Sequence, residues 1–134
     1  MTTSEDLYPA SGMVARPISP AAHAVLDYGV ASMFFAMGMR FASRHKRAAA
    51  LAYVNGAMVL GLSMLTDYPG GIWRVISFKS HGVADAMQAG LAAFGPVLLG
   101  FPGDSEATFF YGQAASEVGV IAATDWDAPA EQLA

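Results

Sequence analysis

RPISPAAHAVLDYGVA (residues 16–31) and RVISFKSHGVADAMQA (residues 74–89) are two copies of one stretch. They agree at Arg16/Arg74, Ile18/Ile76, Ser19/Ser77, His23/His81, Val25/Val83, Asp27/Asp85 and Ala31/Ala89. The same offset of 58 residues continues without a gap through Ala49/Ala107, Tyr53/Tyr111, Ala57/Ala115, Gly61/Gly119, Thr66/Thr124 and Asp67/Asp125. Each copy therefore runs from an arginine to an aromatic residue, Arg16–Tyr68 and Arg74–Trp126. A repeat of this length is one supersecondary unit used twice, and whatever the first copy folds into the second must also form.

Each copy holds two long apolar runs. Ser19-Pro20 starts the first, a serine cap followed by proline where its missing N–H costs nothing. From Pro20 to Phe41 only His23, Asp27 and Arg40 interrupt an apolar or small-residue chain. About 20 such residues at 1.5 Å each cross a hydrocarbon core. SRHKR (residues 43–47) turns the chain, Ala48–Thr66 is the second run, and Pro69-Gly70-Gly71 breaks it. Ile72–Lys79 has the mixed aromatic and basic composition of an interfacial segment. The third run, Ser80–Phe101, contains Pro96, which predicts a kink; PGDSE turns the chain into the fourth, Ala107–Thr124.

Composition agrees with these runs. The chain of 134 residues is 54% hydrophobic and only 13% charged, with a mean hydropathy of +0.40. That charge fraction is about half the usual soluble value. Cysteine is absent, which excludes disulfides and thiolate metal sites. The net charge of −4 is spread over loops and ends without a basic stripe, so nucleic acid is not an expected partner. The predicted fold is all-α, a four-helix transmembrane bundle built from two helical hairpins. Its expected parts are a polar tail (1–15), repeat one (16–68), a linker (69–73), repeat two (74–126) and a second polar tail (127–134). The acidic opening MTTSEDLYPA lacks the basic start of a cleavable signal peptide.

Two spans per repeat bring the second copy into the membrane in the same direction as the first. The repeats are then parallel, related by an axis along the membrane normal. Both histidines and both Thr-Asp pairs fall at the end of the bundle carrying the termini. Arg40, Arg44, Lys46 and Arg47 at the other end nearly balance Arg16, Arg74 and Lys79, so the positive-inside rule fixes no orientation.

The pattern R-x-I-S-x-x-x-H-x-V-x-D, followed by a second helix ending T-D-Y or T-D-W, resembles the SPW-repeat family of small bacterial integral membrane proteins. The resemblance covers nearly the whole chain outside the tails. It implies paired transmembrane helices and a bacterial inner membrane location, and it implies no activity. The family's Ser-Pro-Trp motif is largely lost here: Gly95-Pro96-Val97 keeps its proline and Met37-Gly38-Met39 keeps nothing.

His23/Asp27 and His81/Asp85 are four residues apart, so each pair shares a helix face. Counted along the helices, Asp27, Asp85 and Glu117 reach one depth, roughly 12 Å from the terminal end. The symmetry breaks at Glu117, whose counterpart is Val59. Ionisable groups at such depth pair with one another or face the bundle interior. His23, Asp27, His81, Asp85 and Glu117 therefore form a candidate polar cluster, either hydrogen-bonding glue between helices or a site sharing protons or binding metal. No metal or other cofactor is predicted, because Asp/His ligands at helical spacing are weak evidence without a crowded ligand shell. Arg16, Asp67, Arg74 and Asp125 are expected to lock helix ends by ion pairs. Asn55, Gln88 and Gln113 are expected to hydrogen-bond across helices. Ala57-x-x-x-Gly61 and Ala115-x-x-x-Gly119 are expected at helix–helix contacts, within the chain or at an oligomer face. Tyr53, Tyr68, Tyr111, Trp73 and Trp126 read as interface anchors.

No nucleophile motif or phosphate loop is present, and a catalytic function is not the expectation. Two classes compete. One is a non-enzymatic scaffold or accessory subunit of a larger membrane complex or homo-oligomer in the lipid bilayer. The other is a ligand-handling protein that binds a proton, metal, haem or quinone at the His/Asp/Glu cluster.

Overall fold

A computed structural model describes residues 15–134; most of the polar tail assigned to 1–15 lies outside them. Four helices follow in order: α1 (Pro20–Ala42), α2 (Lys46–Leu65), α3 (Phe78–Leu98) and α4 (Ala107–Ala123), with a 3-10 turn at Ala130–Gln132. Among the described residues there are no strands, only two isolated bridges. The all-α fold and the four helices match the sequence reading to within a few residues at each end. The start of α3 reaches back to Phe78 because Ser77 caps it, accepting the Ser80 N–H at 3.1 Å, and its end falls three residues short of the expected Phe101.

The caps explain these boundaries. Ser19 Oγ accepts the Ala22 N–H, with Pro20 in the first turn. His45 caps α2, its Nδ1 accepting from Ala48 N–H at 3.0 Å. At the end of α3 Gly100 takes φ +70°, and Phe101 N–H and Gly100 N–H return to the Pro96 and Val97 carbonyls. That is a Schellman closure, which needs a residue free to adopt the left-handed region. Pro96 lies two residues before the helix ends, so it helps terminate α3.

The exposed carbonyls at the ends of α2 and α4 are satisfied by backbone from elsewhere in the chain. Ile72 and Trp73 N–H donate to the Met64 carbonyl, Val75 and Ile76 N–H to Leu65, and Asp67 N–H returns to Ile76. Across the pseudo-symmetric junction Ile18 N–H donates to Ala123 and Asp125 N–H to Ile18. The two bridges, Ile18 with Thr124 and Thr66 with Ile76, are thus one feature seen twice. One of the two expected arginine locks forms: Arg74 pairs with Asp67 at 3.8 Å, both side chains largely exposed, whereas Arg16 pairs at 3.6 Å with Asp127 and not with Asp125. Asp127 also takes Lys79 at 2.8 Å, which holds its carboxyl below the usual range.

Two apolar clusters sandwich a polar layer. Away from the termini, Phe34, Phe41, Phe101 and Phe110 pack with Ala48, Ala52 and Ala107. At the terminal end Ala24, Tyr68 and Phe78 pack with Trp126 and Leu133, so the segment after α4 folds back onto the bundle. Tyr68, read as an interface anchor, is completely buried. Close helix approach occurs at Gly56 against Phe34 and Ala31, and at Gly95 against Leu51. The expected packing glycines Gly61 and Gly119 have nothing within 4 Å of a Cβ position, and Ala57 and Ala115 are exposed; these small residues face outward.

By length and composition one helix, Lys46–Leu65, qualifies to cross a membrane. α4 has 17 residues, and α1 and α3 carry His, Asp and Gln on their inner faces. A Cβ on Gly71 would fall on the Thr66 carbonyl, in the turn that delivers Thr66 to the polar layer. Gly71→Ala should cost about 3 kcal/mol of stability, whereas Gly103→Ala, with nothing within 4 Å, should be neutral. Thermal unfolding of the two variants side by side is the check.

Candidate functional site

The polar layer begins with two threonines. Thr66 and Thr124 close α2 and α4, and each hydroxyl donates to the carbonyl one turn back, Thr66 to Leu62 and Thr124 to Val120, both at 2.6 Å. A hydroxyl has one hydrogen, so each Oγ1 is left as an acceptor. His81 Nδ1 lies 2.6 Å from Thr66 Oγ1, and His23 Nδ1 lies 2.9 Å from Thr124 Oγ1. Both Nδ1 atoms must therefore carry the proton that donates, which fixes the tautomer from the hydrogen-bond network.

The opposite ring nitrogens face two carboxylates. His23 Nε2 is 3.0 Å from Asp85 Oδ2 and 3.4 Å from Asp27 Oδ1. His81 Nε2 is 3.1 Å from Asp85 Oδ1 and 3.2 Å from Asp27 Oδ2. Histidine and aspartate alternate around a ring, each carboxylate bridging the two imidazoles. Each histidine thus meets both its own-helix aspartate and that of the other repeat. Tyr68 donates to Asp27 Oδ2 at 2.7 Å. Burial, then the neighbouring Asp27 charge, push the tyrosine pKa up, so its hydroxyl stays a donor. The repeat counterpart of Tyr68 is Trp126, which packs its ring 5.0 Å from that of His23 and donates to the Ile121 carbonyl instead.

Both histidines are 1% exposed. His81 Nε2, although close to two oxygens, is directed at neither and has no hydrogen-bond partner. One turn deeper Gln88 donates to Asn55 Oδ1 at 2.7 Å, the cross-helix amide bond expected of them, while Asn55 donates within α2 to the Leu51 carbonyl. The Gln88–Asn55 bond seals the α2–α3 seam. On the opposite side, between α1 and α4, the equivalent seam is open. A cavity of about 340 Å³ lies there, walled by Leu26, Val30, Met33 and Val120 and floored by Asp85, Gln88 and Val59. Glu117 lines it with Gln113, and neither Glu117 oxygen has a hydrogen-bond partner.

Of the five residues singled out from the sequence, His23, Asp27, His81 and Asp85 meet in one cluster, and Glu117 stands in the adjoining cavity. Sequence reasoning missed Thr66, Thr124 and Tyr68. The threonines carried a signal, since they are identical in both repeats and end their helices, but the identity had been assigned to the neighbouring aspartates. At the other end His45 Nε2 bonds Asp104 at 2.9 Å, a pair the sequence did not suggest. Comparison with family models, curated proteins and solved structures returns no match, so function must be read from the site.

Replacing Thr66 or Thr124 by valine keeps shape and removes the acceptor from a buried Nδ1–H. Each should cost about 1–3 kcal/mol, and serine should restore most of it; thermal melts of the four variants give the answer.

Proposed function

We propose that this chain is a four-span, multi-pass integral membrane protein of the SPW-repeat type, working as a ligand-binding protein and not as a catalyst. The inversion of polarity supports the membrane part. Val25, Val83, Met87, Phe94, Leu98 and Val118 point outward at 60–74% exposure, while His23, Asp27, Asn55, His81, Gln88, Gln113 and Glu117 are turned inward. A bundle in water would arrange these the other way round. α1, α3 and α4 span in this reading because their polar groups pair with each other inside the bundle and meet no lipid.

The observation that carries the ligand reading is Glu117: a buried carboxyl with no partner on either oxygen, beside an apolar cavity open between two helices. Leaving it unpaired costs about 1–3 kcal/mol. The first repeat shows the inexpensive solution, valine at position 59. A cavity of about 340 Å³ is within the usual range for a small-molecule site. The ligand of this reading is a lipid-soluble molecule with an apolar body and a hydrogen-bonding head that pairs with Glu117. It enters sideways from the bilayer.

Glu117→Val tests this. The variant should melt higher than the parent by an amount equivalent to about 1–3 kcal/mol and should lose any small molecule seen by mass spectrometry of the detergent-extracted protein. A variant that melts lower, or keeps the same bound molecules, removes the ligand reading. Monodisperse protein in buffer without detergent removes the membrane reading.

One observation favours a second reading, an accessory subunit or homo-oligomer. Two outward stripes, Ala57 with Gly61 on α2 and Ala115 with Gly119 on α4, each offer a close approach to another helix in lipid. Under this reading Gly119→Leu releases a partner chain on native gels while leaving the melting temperature of the chain itself unchanged.

A further inference from the structure

We infer that His23, Asp27, His81 and Asp85 form a binding site for one divalent first-row transition-metal ion, of the class of zinc, iron(II) or manganese(II). This goes beyond the cavity reading and does not depend on it, since Glu117 is outside the four ligands.

Three observations carry the inference. The first is spacing. One ligand atom from each of the four residues can be chosen so that all lie within 4.8 Å of one another, and neighbouring His and Asp atoms are 3.0–3.4 Å apart. Ligands at about 2.1 Å from a common ion are about 3 Å apart when adjacent and about 4 Å when opposite in one plane of an octahedron, and about 3.4 Å apart in a tetrahedron. The ring needs to close in by a fraction of an ångström for the first arrangement and by about an ångström across its longer span for the second.

The second is direction. With both Nδ1 protons committed to threonine hydroxyls, each Nε2 is the atom that faces the carboxylates; His23 Nε2 hydrogen-bonds Asp85 Oδ2 at 3.0 Å and would exchange that bond for the ion. His81 Nε2 is the telling one: 1% exposed, equidistant from one oxygen of each carboxylate and hydrogen-bonded to neither. A nitrogen aimed between two anions is poorly placed for a hydrogen bond and well placed for a cation those anions share. Thr66 and Thr124 then play the part of outer-shell partners that set the tautomer of a metal-bound histidine, and Tyr68 does the same service for the Asp27 carboxylate.

The third is charge and access. With an ion in place of the Nε2 protons, two carboxylates and two imidazoles would carry −2, which one divalent ion cancels in a layer that has no lysine or arginine among its described members. The cavity between α1 and α4 is lined by His23, Asp27 and Asp85, so it reaches the ring and provides an entry path. The donor set of two imidazoles and two carboxylates, without sulfur, suits zinc, iron(II) and manganese(II) better than copper(I).

The test uses the full chain in detergent, stripped with a chelator and titrated with Zn²⁺ and, separately, Mn²⁺. The expected result is one ion per chain and a rise in melting temperature on binding. X-ray absorption of the zinc form should show two imidazole nitrogens and carboxylate oxygens. Asp85→Asn should abolish binding, and Thr66→Val should weaken it about 10–100-fold. His45→Ala, at the far end of the bundle, and Glu117→Val should both bind as the parent does. Failure of the parent to bind either ion overturns the inference and leaves a ring closed by shared protons. So does binding that survives Asp85→Asn, or that is lost with Glu117→Val. If Asp85→Asn does not fold, the absorption spectrum of the parent decides: fewer than two imidazoles around the ion would also overturn the assignment.

Discussion

A threonine hydroxyl has a single proton, and in this bundle that proton goes to the helix it terminates. Everything at the centre follows from this. Thr66 and Thr124 become acceptors, the two histidines turn their Nδ1–H groups toward them, and both Nε2 atoms are left facing the aspartates. The helix ends must stay fixed for this arrangement to persist. The backbone bonds that join α2 to the segment before α3, and α4 to the segment before α1, hold them there. The polar ring and the terminal closures are therefore one mechanical unit, with Phe78 and Trp126 packed over it to keep it dry.

Much of the architecture was legible in the sequence, because the strongest signals were local. Ser19-Pro20 and Ser77 mark helix starts, Pro69-Gly70-Gly71 marks a stop, and the repeat ties the two halves to one plan. The spacing of His23 to Asp27 and of His81 to Asp85 put both pairs on inner faces. What spacing along a helix could not supply was the rotation of one helix about another. That rotation decides whether Gly61 and Gly119 touch a neighbour, and they do not. Of the arginine locks only Arg74–Asp67 forms, and an exposed ion pair is weak beside a backbone hydrogen bond that satisfies a helix carbonyl; at the other junction Arg16 takes Asp127 while Asp125 contributes its N–H. Thr66 and Thr124 were visible as identities, but their partners lie far along the chain, and only the fold brings them together.

The two repeats have diverged where the bundle is asymmetric. One seam is closed by Gln88 and Asn55; the matching seam, with Val30 in place of the glutamine, is open and holds Glu117 in place of Val59. Tyr68 adds a third bond to Asp27, and Trp126 at the same position gives Asp85 none. The ring itself keeps its symmetry while its surroundings differ, which separates a conserved framework within the chain from a side on which specificity can be built.

The ring contacts that join the two repeats come in reciprocal pairs: His23 with Asp85 and Thr124, His81 with Asp27 and Thr66, Ile18 with Thr124, Ile76 with Thr66. This is the geometry of an isologous dimer interface, in which each patch meets a copy of itself across a two-fold axis. A single hairpin of this sequence cannot satisfy its own histidine, because the threonine it needs belongs to the other hairpin. The chain is in effect a homodimer made covalent, with its central site on the former symmetry axis. Because the halves are separate stretches of one chain, they need not be identical, and the unmatched Glu117 is a residue that a true dimer of one hairpin would carry twice.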